Sequence, residues 1–125
     1  EHLFITTGIT THKAIDAAEI LNRDYNIKCG VLHLNTVKPL DKNMLLKWIP
    51  KVKKIVTVEE NVLAGGFGSS ILEFTSDNFP KNSSKISRIG LPDKFIEKYG
   101  TQEELLNFYN LSVENLVNIM KKKDA

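Results

Sequence analysis

Three groups of side chains in this sequence are of types that do chemistry: the pair Glu59-Glu60, the cluster Gly65-Gly66-Phe67-Gly68-Ser69, and the trio His12, His33 and Cys29. Closely spaced glycines ahead of a helix let backbone N–H groups approach an anion at the helix N-terminus, so the cluster is a candidate anion-contacting turn. A dinucleotide fingerprint would follow the first strand, and a P-loop would end in Gly-Lys-Ser or Gly-Lys-Thr; neither is present. Small residues also let a helix start pack closely on a neighbouring strand or subunit, which makes an interface turn the plainer reading. Glu59 and Glu60 stand at the carboxyl end of an apolar run, where open α/β sheets place their sites, and a carboxylate there could serve as acid, base or ligand. Consecutive strand residues point to opposite faces, so the two do not form a side-by-side dyad. One is expected in solvent and the other on backbone or basic partners.

His12 falls in the first turn of a helix that follows a strand end, which makes it a weaker candidate beside the plainer reading of a surface or interface histidine. His12, His33 and Cys29 lack metal-ligand spacing. Cys29 is the single cysteine and lies in the apolar run 27–34, so it reads as a buried structural thiol. No Gly-x-Ser-x-Gly elbow supplies a nucleophile. Lys94 and Lys98 read as exposed charge. On chemistry alone, no catalytic, cofactor-binding or metal-binding residue is assigned. The candidates are Glu59, Glu60, Gly65, Gly66, Gly68 and Ser69 as an anion or interface turn, with His12 behind them.

The elements that must position these residues follow from pattern. Leu3 to Thr7 is a strand ended by Gly8, and its start so near the first residue suggests a chain cut from something longer. Ala14, Ala17, Ala18 and Leu21 recur at helical spacing after Thr10 or Thr11 as N-cap. The run 27–34 is a second strand. Asp41 caps a short helix that turns Met44, Leu45 and Trp48 inward and stops at Pro50. Lys54 to Val58 is a third strand running into Glu59, and the glycine cluster opens a helix carrying Ile71, Leu72 and Phe74. The segment 77–84 reads as a loop, and Ile86 to Ile89 as a fourth strand. Thr101 to Glu104 has the form of a capping box ahead of a helix with Leu105, Leu106, Phe108 and Tyr109. Ser112 caps a last helix with Val113, Leu116, Val117 and Met120 on one stripe. Strands alternating with helices, and apolar on both faces, predict a three-layer α/β/α sandwich on a largely parallel sheet.

The chain's 125 residues suit one domain, and its 42% hydrophobic and 26% charged content suits a soluble globular one. No apolar run approaches the roughly 20 residues of a membrane span, and the start lacks a signal peptide's basic and apolar regions, which points to the cytoplasm. A net charge of +2 from 17 basic and 15 acidic residues, with its one dense basic run at Lys121-Lys122-Lys123, gives no nucleic-acid footprint. The sequons at Asn82 and Asn110 are taken as chance matches.

The order of these segments resembles the C-terminal domain of transketolase-family enzymes. The resemblance rests on Thr6-Thr7-Gly8 with His12-Lys13-Ala14 and Ala17-Ala18-Glu19, on Asn35 to Asp41, on Val56-Thr57-Val58-Glu59-Glu60, and on Gly65 to Ser69. It also rests on Arg88 to Phe95 leading to Gly100-Thr101-Gln102-Glu103-Glu104-Leu105. Pyruvate-dehydrogenase-type beta subunits share Lys-Pro-Leu-Asp and Glu-Glu, whereas Leu91-Pro92-Asp93-Lys94-Phe95 looks like transketolases and 1-deoxyxylulose-5-phosphate synthases. Between these two, Phe95-Ile96 and Gly100 to Glu104 look like the synthase, and His12, Asn35-Thr36-Val37 and Arg88-Ile89-Gly90 look like transketolases encoded as separate subunits.

The resemblance implies a five-stranded mixed sheet with one antiparallel strand, its fifth strand lying near Phe95 or in the chain between helices. It further implies a homodimeric enzyme that moves two-carbon ketol units between sugar phosphates, or joins pyruvate to glyceraldehyde 3-phosphate. Thiamine diphosphate and Mg²⁺ would then sit between diphosphate-binding and pyrimidine-binding domains that this chain lacks. The chain itself would be a structural and interface domain without activity of its own. A rival expectation is a free-standing module that holds a small phosphorylated regulator on the glycine turn.

Overall fold

The computed structural model describes residues 1–122. Its elements run β1 (His2–Thr6), α1 (Thr10–Tyr25), β2 (Cys29–His33), α2 (Lys42–Trp48), a 3-10 turn (Ile49–Lys51), β3 (Lys54–Val62), α3 (Phe67–Asn78), a second 3-10 turn (Pro80–Lys85), β4 (Ile86–Leu91), α4 (Gln102–Phe108) and α5 (Val113–Lys121). The sheet has the order β2-β1-β3-β4, and all three pairings are parallel. Its two faces carry separate cores because side chains alternate along each strand. Phe4, Val56, Val58 and Ile89 meet α1, α4 and α5 through Ala14, Leu21, Leu106, Leu116 and Met120. Leu3, Ile5, Leu32 and Ile55 meet α2 and α3 on the other side through Leu45, Phe67 and Ile71. This is the expected three-layer sandwich.

The sheet departs from expectation in strand number. Among the described residues it has four strands, not five, and none is antiparallel. Residues 92–101, which hold Phe95 and one of the stretches expected to supply the fifth strand, form no regular element. Pro92 lacks a ladder donor, and Phe95 is 93% exposed, so nothing in the described fold draws this segment onto the sheet.

Helix ends show which sequence signals govern locally. Asp41 accepts from the Met44 amide at 3.1 Å, Ser112 accepts from Asn115, and Thr101 with Glu104 forms the complete capping box. At α1 the expected threonine cap does not form. Thr10 is already helical and fully buried, and its hydroxyl donates to the carbonyls of Thr7 and Val58, which ties α1 to β1 and β3. Trp48, expected to face inward, is 37% exposed beside Lys47 and Lys51. Leu45 and Ile49, one helical turn apart, take the inward positions, and Trp48 lies off that line. Pro50 does end α2, but as part of a 3-10 turn, and the segment expected as a loop is the end of α3 followed by a second 3-10 turn.

Candidate functional site

The candidate turn begins with an irregularity in β3. Val58 pairs with Ile89 and Val62 with Leu91, so between these pairs β3 carries Glu59, Glu60 and Asn61 while β4 carries only Gly90. Extra residues of this kind bend a strand and locally increase its twist. Thr57 and Glu59 share the sheet face covered by α3, and Glu60 points the opposite way. The expected split of the acidic pair is therefore present. Glu60 is half-buried and accepts from Gln102 Nε2 at 3.0 Å, whereas Glu59 has no exposed surface.

Glu59 is held by the first amides of α3. Its Oε2 accepts from the Phe67 N–H at 2.6 Å and its Oε1 from the Gly68 N–H at 2.9 Å. These are donors that a helix start leaves without intrahelical partners, and they stand at the positive end of the helix dipole. Gly66 is the residue preceding α3 and offers no side chain as a cap; the cap comes from Glu59, seven residues upstream.

Three glycines leave room for this carboxylate. A Cβ at Gly66 would run into Glu59 Oε2 and the Val62 carbonyl. One at Gly68 would lie 2.5 Å from Thr57 Oγ1 and 3.0 Å from Glu59 Oε1, and one at Gly90 would lie 2.9 Å from Glu59 Cγ and 2.8 Å from the Asn61 carbonyl. Gly65 serves a different need, with φ at +69° and open space, to 4 Å, around the position a Cβ would take. Ser69 donates to the Leu63 carbonyl at 2.8 Å, and Arg88 Nη1 donates both to Ser69 Oγ at 2.6 Å and to that carbonyl at 3.1 Å. The turn is thus fastened from inside by Glu59 and from outside by Arg88.

The electrostatics are opposed. Burial pushes the Glu59 pKa upward, against the pull of the Gly68 and Phe67 amides and the Arg88 guanidinium. Thr57 Oγ1, buried beside this cluster, has no hydrogen-bond partner. With both oxygens engaged and no exposed surface, Glu59 is not placed to exchange a proton with a substrate in this conformation.

The structure brings Glu59, Gly66, Gly68 and Ser69 together, puts Gly65 at the exposed tip, and leaves Glu60 on the far face with α4. His12 is exposed on the first turn of α1 and takes no part in the cluster. Cys29, expected to be buried, is half-buried on β2, and desolvation pushes its thiol pKa up to about 12. Two further groups escape a reading of the sequence. Arg88 and Gly90 stand out there only as part of a motif, although a strand alternating around buried Ile89 could place Arg88 at the turn. Thr6, Thr11 and His33 form a hydrogen-bonded chain of 2.9 and 2.8 Å at the carboxyl ends of β1 and β2. It adjoins a cleft of about 530 Å³ lined by His33, Asn35, Thr36, Pro39 and Asp41. Among the described residues, no three His, Cys, Asp or Glu side chains gather where a metal could be held, and no helix is long and apolar enough to cross a membrane.

A parallel α/β/α sandwich with a glycine turn after its third strand defines a class, and residues 1–116 match the family described as "Transketolase, C-terminal domain". The chain belongs to that family. Among its relatives, 1-deoxy-D-xylulose-5-phosphate synthase of Halothermothrix orenii is 39% identical over 92% of this chain and 18% of its own length. The synthase of Caldanaerobacter subterraneus subsp. tengcongensis is 42% identical over 93% of this chain and likewise 18% of its own. A solved structure described as "Split gene transketolase, inactive beta4 tetramer" superposes with a TM-score of 0.85 at 29% identity, over 97% of this chain and 38% of that one. The chain therefore spans less than a fifth of the synthases it matches.

Proposed function

We propose that this chain is the C-terminal domain of an enzyme of the 1-deoxy-D-xylulose-5-phosphate synthase type, and that it builds and joins the enzyme without turning over substrate itself. The observation that carries this reading is the similarity to proteins of that name, at 39% and 42% identity over more than nine-tenths of the chain. The complete enzyme would decarboxylate pyruvate and transfer the remaining two-carbon unit to glyceraldehyde 3-phosphate in the cytoplasm.

The residues here do not fit a thiamine diphosphate or Mg²⁺ site. The described residues offer no cluster of metal-binding side chains, and the buried carboxylate is committed to two amides. The cofactor and its ion are assigned to the diphosphate- and pyrimidine-binding parts of the enzyme, and the expected assembly is a homodimer. Within this chain the part proposed for contact with those domains or the partner subunit is the exposed tip of the glycine turn, Asn61, Ala64 and Gly65, held in shape by Glu59 and Arg88.

The test is product identity. The complete enzyme, loaded with thiamine diphosphate and Mg²⁺, is offered pyruvate with glyceraldehyde 3-phosphate and, separately, a ketose phosphate with an aldose phosphate. Formation of 1-deoxyxylulose 5-phosphate with release of CO₂ is expected. Turnover of the ketose phosphate alone would assign the chain to a transketolase instead.

A further inference from the structure

We infer that Glu59 is a resident anion latch, occupying the N-terminus of α3 so that the glycine turn is closed to external phosphate or carboxylate. The turn has what an anion site needs: two first-turn amides aimed at one point, a helix dipole behind them, glycines that leave room, and a cation, Arg88, beside it. Every one of these features is directed at the protein's own carboxylate or its immediate surroundings. Phe67 N–H and Gly68 N–H each bond one of its oxygens, and the space that Gly66, Gly68 and Gly90 keep open is filled by the Glu59 side chain. Arg88 Nη1 is spent on Ser69 and Leu63. An external anion would have to displace a carboxylate tethered in place, which competes at high effective concentration, and would leave that carboxylate buried without donors.

The latch does not depend on which sugar phosphates the enzyme uses, and it can fail while that reading stands. Its test is made on this chain with inorganic phosphate and formate as probes. In wild type, phosphate should leave the amide resonances of Phe67 and Gly68 unmoved. In Glu59→Ala, formate should enter the vacated space, shift those two resonances saturably and raise the melting temperature, with no such effect on wild type. Saturable phosphate shifts at Phe67 and Gly68 in wild type would overturn the inference, as would a folded Glu59→Ala chain indifferent to formate. Should Glu59→Ala not fold, Glu59→Gln decides. Replacing one acceptor oxygen with an NH₂ should speed hydrogen exchange at Phe67 or Gly68 about tenfold, the size of one lost charge-assisted hydrogen bond, while β3 and α1 keep their protection. Unchanged protection at both amides in the glutamine variant would also overturn it.

Discussion

Glu59 is a carboxylate in a place where ionisation is opposed by burial and supported by two amides and Arg88, and burial prevails. Its folded pKa is raised above the ordinary 4.5, so the folded chain holds the proton more tightly than the unfolded chain does. The stability this group contributes is full below that ordinary value and is lost as pH rises through the raised folded one. Urea unfolding across this range should show a decline with rising pH in wild type that flattens in Glu59→Gln; equal slopes in the two would contradict the assignment. The glycines around it should be unequal. Gly66→Ala collides with the Glu59 carboxylate and the Val62 carbonyl and should cost about 3 kcal/mol, in the range of an overpacked interior. Gly65→Ala meets open space and only the strain of a positive φ, and should cost about 1 kcal/mol. Denaturant midpoints of the two variants check the order, and equal losses would break it.

At the scale of elements, α5 and α4 depend on different forces. Leu116 and Met120 of α5 sit in the core that α1 completes, so Leu116→Ala should lose about 3 kcal/mol and lower the melting temperature of the whole fold. Thr101→Ala removes the capping box of a seven-residue helix packed mainly through Leu106, and should cost about 1 kcal/mol, seen as faster amide exchange confined to α4. Elements of this kind are legible in the sequence because their signals are local. The alternation of Leu3, Phe4 and Ile5, the alanine stripe of α1 and the caps at Asp41, Thr101 and Ser112 each act within a few residues. Thr10 reads as a cap and is not one, because its hydroxyl answers to Val58, forty-eight residues away, and not to its own helix. The purpose of the glycine turn is out of reach for the same reason. Gly66 and Gly68 announce close approach, but the group approaching is set by the irregularity in β3, and Gly90, the third glycine, arrives from another strand. The fifth strand is an expectation carried by family likeness, and residues 92–101 supply no ladder to support it.

For the whole molecule, family membership and fold agree. Its Glu59 carboxylate is occupied, its half-buried cysteine has a raised pKa, and its polar chain Thr6-Thr11-His33 runs from buried Thr6 to exposed His33 at the carboxyl edge of the sheet. On the proposed function, the chain would support catalysis located elsewhere in the complete enzyme. That separation is exposed most plainly by comparing turnover of pyruvate and glyceraldehyde 3-phosphate by the isolated, folded chain with turnover by the complete enzyme, both supplied with thiamine diphosphate and Mg²⁺. Product should come from the complete enzyme and none from the chain; product formed by the chain alone would contradict a purely supporting role.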